Sequence, residues 1–279
     1  MNGLAKYVGG RGDSLQAEGR GMTNAPATSM LCRLDNYQGG ARTVYLGMAE
    51  SDFPDIRALD VFREMDEENF RAITRGAYVQ NFPPQIELVT EGDPSDFLHI
   101  VLSGTVELFC EWHGRETSMA TLRPVSTFIL AATIRDAPYL MSARTLEKSR
   151  IALIPSQDVR AVFDIDARFA RAIVSELAQC YRTVVKSTKD LKLRTSLERL
   201  ANYLLRVQAR AGGGERFTLD TEKRRLASYL GMTPENLSRA FKGLQPYGVA
   251  VAGSQVTIAD RADLERFAKP NRLIDDHAS

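Results

Sequence analysis

Between Asp166 and Lys192, the residues Phe169, Ile173, Leu177, Cys180, Val184 and Leu191 recur at intervals of three, four or seven, with charged residues on the other faces. This spacing predicts one long amphipathic helix. Asp166 is placed to cap its start, because a carboxylate accepts the backbone N–H groups a first turn leaves free. A stripe this long exceeds what one small sheet covers, so the six residues are expected to form the seam between two copies of the chain. The helix over 166–192 divides the chain, and the segments on either side must each bury a core of their own.

On its N-terminal side lies "QIELVTEGDPSDFLHIVLSGTVELFCEWHGRETSMATLRPVSTFILAA". Short β-rich runs are predicted at 86–90, 97–102, 105–112, 116–122, 127–131, 139–146 and 149–154, with turns at 92–93, 103–104 and 113–114. Regularly spaced short strands imply a sandwich or jelly roll. The stretch 53–82 reads as short helices, with Phe62, Met65, Phe70 and Ile73 near helical spacing. Pro155 ends the strand region, and Ser156 is expected to cap a short helix over 157–163. Residues 1–45 are rich in Gly, Ser, Ala and Thr without an apolar period, and are expected to be a disordered extension, with Met48 as an alternative start.

Composition narrows the class. A hydrophobic fraction of 44% in 279 residues suffices for real cores. No run of roughly 18 apolar residues occurs, so no membrane span is expected. No secretory signal is evident. Cys32, Cys110 and Cys180 form no CxxC pair, which fits a reducing cytoplasm. The net charge is only +1, but residues 50–70 carry eight acidic and two basic side chains, whereas 186–210 carry seven basic and two acidic. The basic half is the one expected to meet a polyanion.

That half contains "EKRRLASYLGMTPENLSRAFKGL". Leu226, Ala227 and Leu230 are predicted to face inward from a helix over 222–230. Gly231 supplies the left-handed turn. Thr233 caps a second helix, with Pro234 at its first position, Glu235 and Asn236 in its first turn, and Leu237, Ala240, Phe241 and Leu244 as its apolar face. Helix, glycine turn, helix is the helix-turn-helix pattern. The start of the second helix then reaches base edges in a major groove. Arg239 suits guanine, Glu235 the cytosine amino group, and Ser238 a thymine methyl or a base edge. Lys223, Arg224, Arg225 and Lys242 suit phosphates. "GVAVAGSQVTIAD" follows, two short strands around 252–253 that form a wing. A helical segment over 194–210, a break at "AGGGE" and a strand over 216–219 lead into the motif.

The order of sheet domain, long helix and winged helix-turn-helix resembles the CRP/FNR superfamily of bacterial transcription regulators. The resemblance covers about 50–270 and rests on "EGD" at 91–93, "FLHIVLSGTVELF" at 97–109 and "ENLSR" at 235–239. It implies an α+β fold: a β jelly-roll sensor of the cyclic-nucleotide-binding type over 50–165, the dimerisation helix over 166–192, a winged helix over 193–270 and a tail over 271–279. It also implies a transcription regulator, activator or repressor, that is not an enzyme. Its partners would be double-stranded DNA, read by a homodimer at a palindrome resembling TTGA-N-TCAA, and RNA polymerase.

The sensor departs from the family pattern. The segment "STFILAATIRDAPYLMSARTL" lacks the Gly-Glu and Arg-Ser/Thr that hold a cyclic phosphate, and Leu140-Met141 stands near where the arginine belongs. This argues against cyclic AMP. Three unclustered cysteines argue against an iron–sulfur cluster. The same segment, with "MTPENLSRAF", is similar to regulators of the NnrR type, which implies a response to nitric oxide and control of denitrification genes. A haem there would need an axial ligand, for which His99 and His113 are the candidates, His277 lying in the tail. Cys110 and Cys180 are candidates for direct oxidation. A regulator with no effector and a small-molecule-binding interaction module are the alternatives.

Overall fold

A computed structural model describes residues 48–276. The expected extension over 1–45, Cys32 and His277 lie outside the described residues. The chain enters through three short helices, α1 (Phe53–Arg57), α2 (Asp60–Arg63) and α3 (Glu67–Arg75). Strands β1 (Tyr78–Phe82), β2 (Glu87–Val89), β3 (Phe97–Ser103), β4 (Val106–Trp112), β5 (Arg115–Leu122) and β6 (Ser126–Phe128) follow. Helix α4 (Leu130–Arg135) interrupts them before β7 (Ser142–Thr145) and β8 (Ser149–Pro155). Two four-stranded antiparallel sheets result, in the orders β1-β8-β3-β6 and β2-β7-β4-β5.

Strand β3 shows why the first sheet is central. Leu98, Ile100 and Leu102 point outward into a core shared with Ile56, Phe62, Ile73, Val159, Phe169 and Ile173. The alternate residues Phe97, His99 and Val101 are buried as well, facing the inside of the roll. A strand covered on both faces reads as a continuous apolar run. Gly104 turns β3 into β4 at φ +84°, and a Cβ there would lie 2.6 Å from the Ser149 backbone. No side chain fits this turn.

Three expectations change here. Residues 78–82 are not helical: α3 stops at Arg75 before Gly76, and β1 pairs with β8 from Tyr78↔Leu153 to Phe82↔Ser149. The run predicted as a strand over 127–131 ends at Phe128; Ile129 takes a left-handed φ of 63° and the Ala-rich stretch after it coils into α4. Ser156 does not cap its helix. It is the first residue of α5 (Ser156–Ile165), Pro155 precedes it, and its buried hydroxyl has no partner.

Helix α6 (Ala167–Leu193) is the long one. Its 27 residues span about 40 Å. Asp166 caps it as expected, accepting from the N–H groups of Arg168 at 2.9 Å and Phe169 at 3.0 Å. The same carboxylate also accepts from Asp66 N at 2.9 Å and Asn69 Nδ2 at 3.0 Å, so it ties the helix start to α3. Burial works against its charge, but these donors prevail and hold the carboxyl down at about 2. A folded-state value below the unfolded one stabilises the fold above about pH 4, and this stabilisation is lost as pH falls through about 2. Asp166→Ala is expected to cost about 2 kcal/mol at pH 7 in urea denaturation, and to flatten the loss of stability between pH 4 and pH 2.

The C-terminal part comprises α7 (Ser196–Arg210), β9 (Arg216–Thr218), α8 (Lys223–Tyr229), α9 (Pro234–Gly243), β10 (Val249–Ala252), β11 (Gln255–Ile258), α10 (Arg261–Ala268) and α11 (Arg272–Asp275). A three-stranded sheet, β10-β11-β9, packs with the helices around Leu200, Leu204, Phe217, Leu226, Leu237 and Val256. A capping box at Thr195 and Glu198 starts α7. Residues 271–276 of the stretch expected as a tail are built into the fold. Asp275 binds Arg194 at 2.7 Å and Arg206 at 2.8 Å, pinning the junction between α6 and α7.

Candidate nucleic-acid interface

The two helices of the motif form for local reasons. Thr233 accepts from the Asn236 N–H at 3.3 Å, and Pro234 occupies the first helical position, where its missing N–H costs nothing. Such a cap contributes about 1 kcal/mol. Gly231 makes the turn at φ +64°. The turn carbonyls are held from beneath by Arg199 of α7, which donates to Leu230 O at 2.9 Å and Gly231 O at 3.4 Å, and also to Arg194 O at 2.7 Å where α6 meets α7. Arg199 is buried, and its role was not visible in the sequence, where it reads as one more basic residue of a charged helix.

Leu226, Ala227, Leu230, Leu237, Ala240, Phe241 and Leu244 are all buried, as their spacing predicted. The opposite face of α9 presents Glu235, Asn236, Ser238, Arg239 and Lys242 to solvent. The backbone N–H at the helix start and the Thr233 hydroxyl hold the Glu235 carboxyl below its ordinary range, with Arg239 adding to the effect. Ser238 donates its hydroxyl to Pro234 O at 3.0 Å, so towards a base it can accept or pack, but its donor is committed. The wing is the hairpin β10–β11, turned at Gly253.

Lys223 and Arg224 of α8 are exposed. Arg225 is not free for phosphate. It turns towards β4 and lies 3.5 Å from Glu107.

The expected seam divides in two. Phe169 and Ile173 are fully buried in the chain's own core, stacked with the sheet's helices, and cannot meet a partner. Leu177 packs partly against the same core. Cys180, Val184 and Leu191 are exposed, and so are Val174 and Tyr181, which the stripe had omitted. Val174, Leu177, Tyr181, Val184, Thr188 and Leu191 fall at alternating spacings of three and four, the repeat of a two-stranded coiled coil.

The two histidine candidates are far apart in kind. His99 is completely enclosed, stacked on Phe128 at 4.9 Å with Tyr139 edge-on at 6.5 Å. Burial lowers its imidazole to about 4, opposed only in part by the Phe97 carbonyl, and neither ring nitrogen has a well-formed hydrogen bond. His113 is exposed at the tip of the β4–β5 hairpin, against Trp112. A haem needs a flat apolar slot beside its ligand. At His99 aromatic rings fill that space, and at His113 there are no buried walls, so these residues do not fit a haem. Burial raises the thiols of Cys110 and Cys180, each with help from a neighbouring glutamate, which disfavours the reactive thiolate. Among the described residues no group of three or more His, Cys, Asp and Glu is placed to hold a metal ion. No described helix is long and apolar enough to cross a membrane.

Comparison with known proteins agrees with this architecture. A cyclic nucleotide-binding domain model matches residues 79–166, and a Crp-like helix-turn-helix domain model matches residues 198–267. The chain is 24% identical over 215 residues to the CRP-like cAMP-activated global transcriptional regulator of Mycobacterium tuberculosis, covering 75% of this chain and 96% of that protein. It is 24% identical over 182 residues to the transcriptional activator protein anr of Pseudomonas aeruginosa, covering 63% and 75%. The structure of FixK2 from Bradyrhizobium japonicum shares the fold, with a TM-score of 0.57 at 23% identity over 68% of this chain and 96% of that one. A β-roll sensor joined by a long helix to a winged helix defines a DNA-binding transcription regulator, not an enzyme. The chain carries the two domains of CRP/FNR-type regulators, a cyclic nucleotide-binding domain and a Crp-like helix-turn-helix domain.

Proposed function

We propose that the protein acts as a homodimer that reads a palindrome resembling TTGA-N-TCAA and responds to nitrogen oxides, controlling denitrification-related genes through contact with RNA polymerase. The observation that carries the DNA reading is the solvent-facing row Glu235, Ser238, Arg239 at the start of α9. An arginine there pairs with guanine O6 and N7, and a glutamate accepts from cytosine N4. Lys223, Arg224 and Lys242 flank the row and suit phosphates. The open heptad face of α6 supports pairing of two protomers about a twofold axis, which sets two reading helices one helical turn of DNA apart.

The nature of the signal rests on the likeness of the 126–146 segment to nitric-oxide regulators. The side chains of the sensor support a reading without cyclic nucleotide. Arg135 is exposed, and Arg144 is bound on the outer face of its sheet by Glu107 and Glu116. A second reading, a regulator needing no effector, is favoured by the filled space around His99. A mobility-shift assay under anoxia separates them, using a TTGA-N-TCAA duplex and a scrambled one. Binding of the palindrome that rises with nitric oxide supports the sensor. Equal binding of the palindrome with and without it supports the effector-free regulator. Equal binding of both duplexes contradicts the proposed site.

A further inference from the structure

The outer face of the β2-β7-β4-β5 sheet carries a charged network with one place left for a cation. Arg144 on β7 stands opposite Glu107 on β4. Its guanidinium donates to Glu107 Oε2 from Nε at 2.9 Å and from Nη2 at 2.6 Å. It also donates to Glu116 on β5 at 2.7 Å and 2.6 Å, and it lies 4.3 Å over the Phe109 ring. Two carboxylates thus share one guanidinium, and one negative charge remains. Glu107 is almost wholly buried, 1% exposed, so that charge is shielded little by water. The group that answers it is Arg225, whose Nε lies 3.5 Å from Glu107 Oε1. A second contact fixes the same helix, since the Ser118 N–H of β5 donates to Ser228 Oγ of α8 at 2.7 Å.

Helix α8 is the first helix of the DNA-reading motif, the one that crosses the phosphate backbone in such motifs. Its basic residues divide accordingly. Lys223 and Arg224 are exposed, Arg224 adding to the pull that lowers the Glu116 carboxyl, whereas Arg225 is held by the sensor sheet. We propose that this sheet face is a docking surface for the reader's own first helix, and that Glu107 competes with DNA phosphate for Arg225. The contact is suited to release. When Arg225 leaves, Glu107 keeps its hydrogen bonds to Arg144, and the departure of α8 opens its carboxylate to water, so the remaining charge is solvated and not stranded. The vacated face is then negative and repels a phosphate backbone, which favours one of two states, docked or DNA-bound. Arg144 lies near the end of the segment that differs from the cyclic-nucleotide binders, so a change in that segment reaches the docking surface through a single strand, β7.

Full-length protein and a random-sequence duplex test this without reliance on any operator. Affinity is measured across a salt series for Glu107→Gln, Glu107→Gln/Arg225→Ala and the unaltered chain. Glu107→Gln is expected to bind more tightly and to steepen the slope of log K against log salt by about 0.9, the signature of one more phosphate contact. Adding Arg225→Ala should remove both changes. Unaltered affinity and slope in Glu107→Gln overturn the proposal. A second variant leaves Glu107 in place: Ser118→Cys/Ser228→Cys, with the three native cysteines replaced by serine. Oxidised, it should lose DNA binding, and reductant should restore it. Oxidised protein that binds as well as reduced protein overturns the docking surface alone. Reduced and unaltered proteins that bind no duplex overturn the DNA reading and the proposal together.

Discussion

Val184→Asp is expected to leave the protein folded but monomeric, and to lower its affinity for a palindromic site by about 100-fold or more. Val184 is 62% exposed in the protomer, so its replacement removes little from any core. In the proposed pair it sits with Leu177, Tyr181 and Leu191 on the heptad face, and two aspartates would be buried opposite each other there. Each monomer would then meet one half-site without the gain that a linked second reader brings. Sedimentation at micromolar protein, with thermal melting as a control, checks the first part; a mobility shift checks the second. A dimer that persists would move the seam elsewhere. A dimer lost without loss of DNA affinity would mean that a single winged helix is the reading unit. Phe169→Asp makes the contrast, because Phe169 is fully buried against Phe62 and its loss should unfold the sensor instead.

Arg239→Ala is expected to cost about 1–3 kcal/mol at the specific site, and to relax discrimination at one guanine while leaving binding to random DNA nearly unchanged. Arg239 is exposed on α9, so loss of its side chain should not disturb the fold. Nearby Leu237 and Ala240 are buried and hold the helix in place. The readout is the ratio of specific to random affinity at a fixed salt concentration, since affinity alone mixes base and phosphate contributions. An unchanged ratio would remove Arg239 from base reading.

The winged helix was legible in the sequence because its signals are local. Thr233, Pro234 and Gly231 act within a few residues of where they stand, and the buried face of α9 follows from a single period. Strand β1 was not legible. Its residues, Tyr78 to Phe82, lie at a sheet edge, are mostly half-buried and show no alternation. Helix α4 was misread because a short apolar run fits a strand or a helix equally well. The seam was legible only as a stripe. Helix α6 has two apolar faces near its start, one for its own core and one open, and a spacing of three or four residues cannot separate them. Phe169 and Ile173 belong to the first, Val174 and Tyr181 to the second. The pairing of Glu107 with Arg225 joins residues in separate domains and left no pattern to read.

The most direct test of the account is selection from a pool of random-sequence duplexes by the full-length protein, under anoxia and at physiological salt, beside the Arg239→Ala variant. Enrichment is expected of an inverted repeat with half-sites like TTGA, one helical turn apart, with loss of preference at one guanine of each half-site in the variant. Enrichment of no motif, or of the same motif at equal strength by both proteins, would contradict reading of DNA by Glu235, Ser238 and Arg239.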